Sequence, residues 1–168
     1  MSSGPSTLWP APIRRWRQKA FDRKFPPRDI WGIGLVKAPL HRFLNGWPED
    51  AETIWLDDPA TGYYADPFAF RVDGRTLVLA EHVPRPGSRG EIVARELGDD
   101  DGLRETAVSL RLPLHISYPF LIEQDGTNFC IPETAQADGV LLFRLVGPEP
   151  RFVFERRLID GFAAIDST

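Results

Sequence analysis

Tyr64-Ala65-Asp66-Pro67-Phe68 and Ile116-Ser117-Tyr118-Pro119-Phe120 are two copies of one pattern. Aligning Pro67 with Pro119 sets an offset of 52 residues, and at that offset Phe68 matches Phe120, Asp73-Gly74 matches Asp125-Gly126, and Glu81 matches Glu133. Agreement at one offset marks an internal repeat of about 50 residues, the length of a supersecondary unit that stacks on its neighbours. A third copy begins at Ala164-Ile165-Asp166-Ser167-Thr168, 48 residues after the second.

Within each unit the pattern predicts four antiparallel strands. In the first, Asp66 to Val72 alternates apolar and polar residues, Asp73-Gly74 is a hairpin turn signal, and Arg75 to Glu81 is the returning strand. Gly90 to Leu97 and Arg104 to Leu110 complete it. In the second unit the strands are Ser117 to Ile122, Thr127 to Glu133, Gly139 to Leu145 and Phe152 to Leu158, with Asp125-Gly126 as the turn. Upstream, Trp31 to Val36 and Thr53 to Leu56 are two shorter strands of an incomplete unit. Four strands per unit is the anatomy of a β-propeller blade. The expected fold is therefore all-β: a partial β-propeller with two full blades (66–115 and 117–163), a partial first blade and the start of another. Propellers close with typically four to eight blades, so the chain reads as a fragment of a larger ring. A small β-sandwich or open stack of sheets is the alternative for the same strands.

Residues 1–28 differ from the rest. They carry a net charge of +6, whereas the whole chain carries −4, so residues 29–168 carry −10. Residues 13–25 predict a short basic amphipathic helix or linker, with Ile13, Trp16 and Ala20 on one face and Pro26-Pro27 as its stop. This segment is read either as a packing helix or as one that touches an anionic membrane surface or a partner. The acidic remainder argues against a nucleic-acid partner, because phosphate contacts need positive surface. Cys130 is the single cysteine, so no internal disulfide forms, and a reducing compartment fits. The start of the chain lacks the apolar core of a signal peptide, so the expected location is cytoplasmic.

In a blade-type repeat the start of the first strand and the end of the second reach the mouth of the central channel. Here those places hold Asp66, Asp166, Glu81 and Glu133, joined by His82, His115, Ser117 and Tyr118. Converging carboxylates suit glycoside hydrolysis: one protonated acid serves the leaving oxygen and one ionised carboxylate activates water, about 6.5–9.5 Å away for inversion. Each residue also has a structural reading. Asp66 before Pro67 can start a turn, Glu81 and Glu133 can be recurrent blade features, and the histidines can be structural. Asp66 is exchanged for Tyr118 at the matching place, so the blade itself does not require it. No His/Cys/Asp spacing indicates zinc. Gly32 and Gly34 lack the Lys-Ser/Thr of a phosphate loop, and Ser117 lacks a nucleophile elbow. No cofactor is called for.

The ordered set Trp31-x-Ile33-Gly34, Ala65-Asp66-Pro67-Phe68, Glu81, Gly90-x-Ile92, His115-Ile116-Ser117-Tyr118-Pro119-Phe120, Ile131-Pro132-Glu133 and Ile165-Asp166-Ser167-Thr168 resembles the N-terminal propeller domain of the glucosamine inositolphosphorylceramide transferase type. Bacterial relatives of that type include propellers attached to formyltransferase-like domains. The domain is similar in turn to the five-bladed propellers of glycoside hydrolase family 43. The resemblance covers residues 29–168. It implies five blades, of which this chain would lack about two, and a carbohydrate or glycoconjugate as partner. It implies Asp66 as a general base, Glu133 as a candidate general acid and Asp166 as a candidate tuning residue. Glu81, His82, His115, Ser117 and Tyr118 would then contact substrate. In the transferase type the transfer chemistry sits in a separate domain, so a non-catalytic binding or scaffold role, or a truncated inactive product, is the alternative.

Overall fold

The computed structural model describes residues 31–56, 59, 61–84, 88–99, 102–147 and 149–166. The expected helix over 13–25 lies outside these residues. Residues 31–168 form one compact unit, and its strands follow from period-2 patterning and turn chemistry. β1 (Gly34–Val36) pairs with β2 (Thr53–Trp55). β3 (Tyr63–Val72), β4 (Arg75–Val83), β5 (Glu91–Leu97) and β6 (Leu103–Leu110) form an antiparallel sheet in chain order. β7 (Ser117–Gln124), β8 (Thr127–Glu133), β9 (Gly139–Val146) and β10 (Arg151–Asp160) form a second sheet of the same order. The repeat therefore produces two four-stranded meanders. The described strands make an open stack of sheets, with no ring closed among them.

Turns fix the register. Asp73 and Gly74 have φ of 49° and 74°, and Asp125 and Gly126 have 51° and 71°. Two successive positive φ values make the primed turn whose twist matches that of the flanking strands. The Pro67 and Pro119 signature has an equally local cause. Ala65 pairs with Glu81 and Phe68 with Leu79, so Asp66 and Pro67 oppose one residue of β4. Ser117 pairs with Glu133 and Phe120 with Ile131, so Tyr118 and Pro119 likewise oppose one residue of β8. Both are β-bulges, and proline, which has no N–H for the ladder, is tolerated there.

Alternate residues of each sheet pack in opposite directions. From the first sheet, Tyr64, Ala80 and Val93 pack on Ile33 and Leu56, beside β1 and β2. Leu79, Ile92 and Ala94 pack the other way, on Cys130, Leu141 and Phe143 of the second sheet. The sheets are stacked like on like, with β3 against β7 and β6 against β10. Burying a side chain such as Phe143 or Leu79 in this layer contributes about 1.5–3 kcal/mol. Cys130 is fully buried there, and burial pushes its thiol pKa up. The far side of the second sheet carries a third cluster of Ile131, Val140 and Leu142, flanked by Phe120, Phe129 and Ala164. No helix among the described residues is long and apolar enough to cross a membrane.

Candidate functional site

The two bulges and the adjoining ends of β4 and β8 gather the acids. At each bulge one residue lies in the left-handed region: Asp66 at φ 50° and Tyr118 at 44°. Asp166, at the matching place of the third copy, has φ 48°. Aspartate tolerates this conformation better than most residues, whereas tyrosine carries strain there. Such outliers persist where their surroundings hold them, and bulges re-aim side chains.

Glu81 is the centre of the site. It is only 6% exposed. Burial, then the negative charges of Asp66 and Glu133, push its carboxyl up from an ordinary 4.5 to about 7. The structure thus brings Asp66, Glu81 and Glu133 into one electrostatic group. His115 faces it, with Nε2 3.3 Å from Glu81 Oε1. The Gly90 N–H donates to His115 Nδ1 at 2.9 Å, which leaves the ring proton on Nε2, directed at Glu81. The His115 N–H donates to Gln136 Oε1 at 3.2 Å. Gly90 is required by space: a Cβ there would lie 2.5 Å from both Glu81 Oε1 and the Ile116 carbonyl oxygen. Ser117 is buried and is the strand partner of Glu133. The Tyr118 ring stands edge-on to Phe68, centroids 5.0 Å apart.

Two predicted residues lie elsewhere. His82 follows Glu81 on β4 and therefore faces the opposite side of the sheet. Its Nδ1 is 3.2 Å from Glu91 Oε1, its Nε2 is 3.1 Å from the Thr61 carbonyl oxygen, and its ring lies 5.1 Å from that of Tyr64. Burial raises the Glu91 pKa, but hydrogen bonds and charge from Arg111 and His82 outweigh this and hold it below the ordinary value. Asp166 is exposed, two residues past Ala164 on the far cluster of the second sheet. The roles of Gly90 and Gln136 escaped the sequence reading. Gly90 stood out only within the Gly90-x-Ile92 pattern, and no spacing pointed to Gln136. Among the described residues, no group of three or more His, Cys, Asp or Glu is placed to hold a metal ion.

A carboxylic acid titrating near neutrality beside two further carboxylates and a neutral imidazole can exchange a proton at pH 7 and hydrogen-bond hydroxyl groups. Glucosamine inositolphosphorylceramide transferase 1 of Oryza sativa subsp. indica is 27% identical over 150 residues, which covers 77% of this chain and 20% of the relative. Its counterpart in Oryza sativa subsp. japonica gives the same figures. The chain thus spans about a fifth of the length of the curated relatives it matches. No family model and no solved structure matches.

Proposed function

We propose that this chain is part of a blade-type propeller domain that binds a carbohydrate or glycoconjugate at the bulge end, and that Asp66, Glu81, Glu133 and His115 are its polar contacts. The observation that carries the reading is the convergence of the three carboxylates, with Glu81 raised to about 7. Sugars present closely spaced hydroxyls, which carboxylates accept from and a neutral imidazole can bridge. The relatives' name, which speaks of glucosamine and inositolphosphorylceramide, supports a glycoconjugate as ligand. The Tyr118 and Phe68 rings supply apolar surface beside the acids for the face of a sugar ring.

Glu81 rather than Glu133 is assigned the general-acid role in any hydrolysis. Near pH 7 it holds a proton for part of the time, while Asp66 serves as the base that activates water. Glu133 keeps the Glu81 pKa high, and Asp166, exposed and away from this group, is given no role in it. A second reading has its own observation: Glu81 is 6% exposed, which favours binding through Asp66, His115 and Tyr118 without chemistry.

Titration of soluble oligosaccharides by calorimetry, alongside turnover of an aryl glycoside panel, tests both readings. Asp66→Asn is expected to weaken binding about 10- to 100-fold, the loss of a charged hydrogen bond. Turnover abolished in Glu81→Gln with binding retained supports hydrolysis. Binding without turnover supports the second reading. Neither binding nor turnover in the unaltered protein overturns the proposal.

A further inference from the structure

His115 is tied down on three sides. Its Nδ1 accepts from the Gly90 N–H, and its own backbone N–H donates to Gln136 Oε1. The next residue, Ile116, donates its N–H to the Gly90 carbonyl oxygen at 3.4 Å. Gly90 thus holds the ring with one backbone group and the chain behind it with the other. A ring nitrogen that accepts a hydrogen bond carries no hydrogen, so the neutral ring has its hydrogen on Nε2. That nitrogen stands 3.3 Å from Glu81 Oε1.

The repeat does not ask for a histidine here. His115 lies three residues before Tyr118, and the residues three before Asp66 and Asp166 are Tyr63 and Ala163. Glu81 is thus followed by a histidine, and Glu133, its match in the second unit, by an alanine at the corresponding place. A histidine present only to accept from Gly90 would need one ring nitrogen. The second is set against Glu81.

This contact distinguishes the two oxygens of Glu81. A carboxylic acid accepts through its carbonyl oxygen and carries its hydrogen on the other. With Oε1 facing an N–H, the hydrogen of the neutral acid belongs on Oε2. The other charged groups that act on Glu81 are Asp66 of β3 and Glu133 of β8; on β5 its ladder partner is Ile92, which is apolar. We propose that His115 is the positioning residue of Glu81: its Nε2–H fixes Oε1 as the acceptor and leaves Oε2 to present the proton to a ligand or a neighbouring carboxylate. The same N–H favours the ionised form of Glu81, against burial and the charges of Asp66 and Glu133. The role rests on the reading of Glu81 as the group that gives and takes a proton at a glycan site, but its test needs no sugar.

Asparagine and glutamine separate the two ring nitrogens. In His115→Asn the amide oxygen can replace Nδ1 and accept from Gly90, but no donor reaches Glu81. In His115→Gln the longer side chain brings an amide N–H to the place of Nε2–H. Carbon-13 NMR of the side-chain carboxyl follows the Glu81 titration in the full chain, with the signal identified by its loss in Glu81→Gln. Glu81 is expected to bind its proton at least about 3-fold more tightly in His115→Asn than in His115→Gln. Both variants lack the ring, so any charge on it drops out of the comparison. Nitrogen-15 NMR of the unaltered protein at a pH of about 8 is a second measurement that needs no variant, and the His115 ring is expected with its hydrogen on Nε2. The His115 side chain is 39% exposed, so both variants are expected to fold, as thermal melting checks; where either fails, the nitrogen-15 measurement decides. Equal proton affinity in the two folded variants overturns the proposal, and so does a ring hydrogen on Nδ1. A chain that shows both expected NMR results and binds no sugar keeps this proposal and loses the glycan reading.

Discussion

Glu81 costs the folded state when it ionises. It binds its proton more tightly in the folded chain than in the unfolded one, with a pKa of about 7 against an ordinary 4.5. The folded state therefore gains relative stability from this group at low pH, and loses that gain as pH rises from about 4.5 through 7. Glu81→Gln, which stays neutral, is expected to melt at a higher temperature than the unaltered protein at pH 8. The two should converge at pH 4. Melting temperatures over that range check this, and parallel curves would contradict it. Sequence alone could mark Glu81, because it recurs as Glu133, but not its environment. Its charge neighbours, Asp66 on β3 and Glu133 on β8, stand 15 and 52 residues away in the chain. His82 shows the converse. It neighbours Glu81 in sequence, and strand alternation turns it to the other side of the sheet.

At the scale of the element, the hairpins were the most legible features, because their causes are local. Asp-Gly announces its own turn, and Pro67 and Pro119 mark the places where the ladder skips. The ten strands among the described residues each overlap a stretch that alternation and turn signals predict. β3 is the instructive departure: it begins at Tyr63 rather than Asp66. The bulge breaks the alternation at Asp66 and Pro67, so the pairing of Tyr64 with His82 and Ala65 with Glu81 is invisible to a period-2 pattern. The turn chemistry yields a prediction. Asp125 has φ 51°, where a β-branched side chain is strained. Asp125→Val is expected to destabilise the protein by about 1–2 kcal/mol, and Asp125→Asn by under about 0.5 kcal/mol. Urea unfolding measures both, and equal costs would remove the turn from the account.

For the molecule as a whole, the stacking of sheets was only partly legible. The repeat predicted equivalent units, but strands such as Leu77–Ala80 are apolar on both faces, and nothing in them says which side meets β1 and β2. The long-range arrangement also decides where stability lies. Phe143 is 1% exposed in the layer between the sheets and meets Phe154 edge-on at 5.9 Å. Phe143→Ala is expected to cost about 3–5 kcal/mol through lost burial and the cavity left behind, read from urea or thermal unfolding. A cost below about 1 kcal/mol would mean that the two sheets do not depend on this layer.

Cys130 occupies that same layer, with its sulfur shut away from water by both sheets. A thiol reagent can reach it only when the sheets part, since reaction requires an exposed thiolate. The chain's single cysteine thus acts as a built-in clock. The rate at which a coloured disulfide reagent modifies it counts the openings of one sheet from the other under native conditions, with no label added.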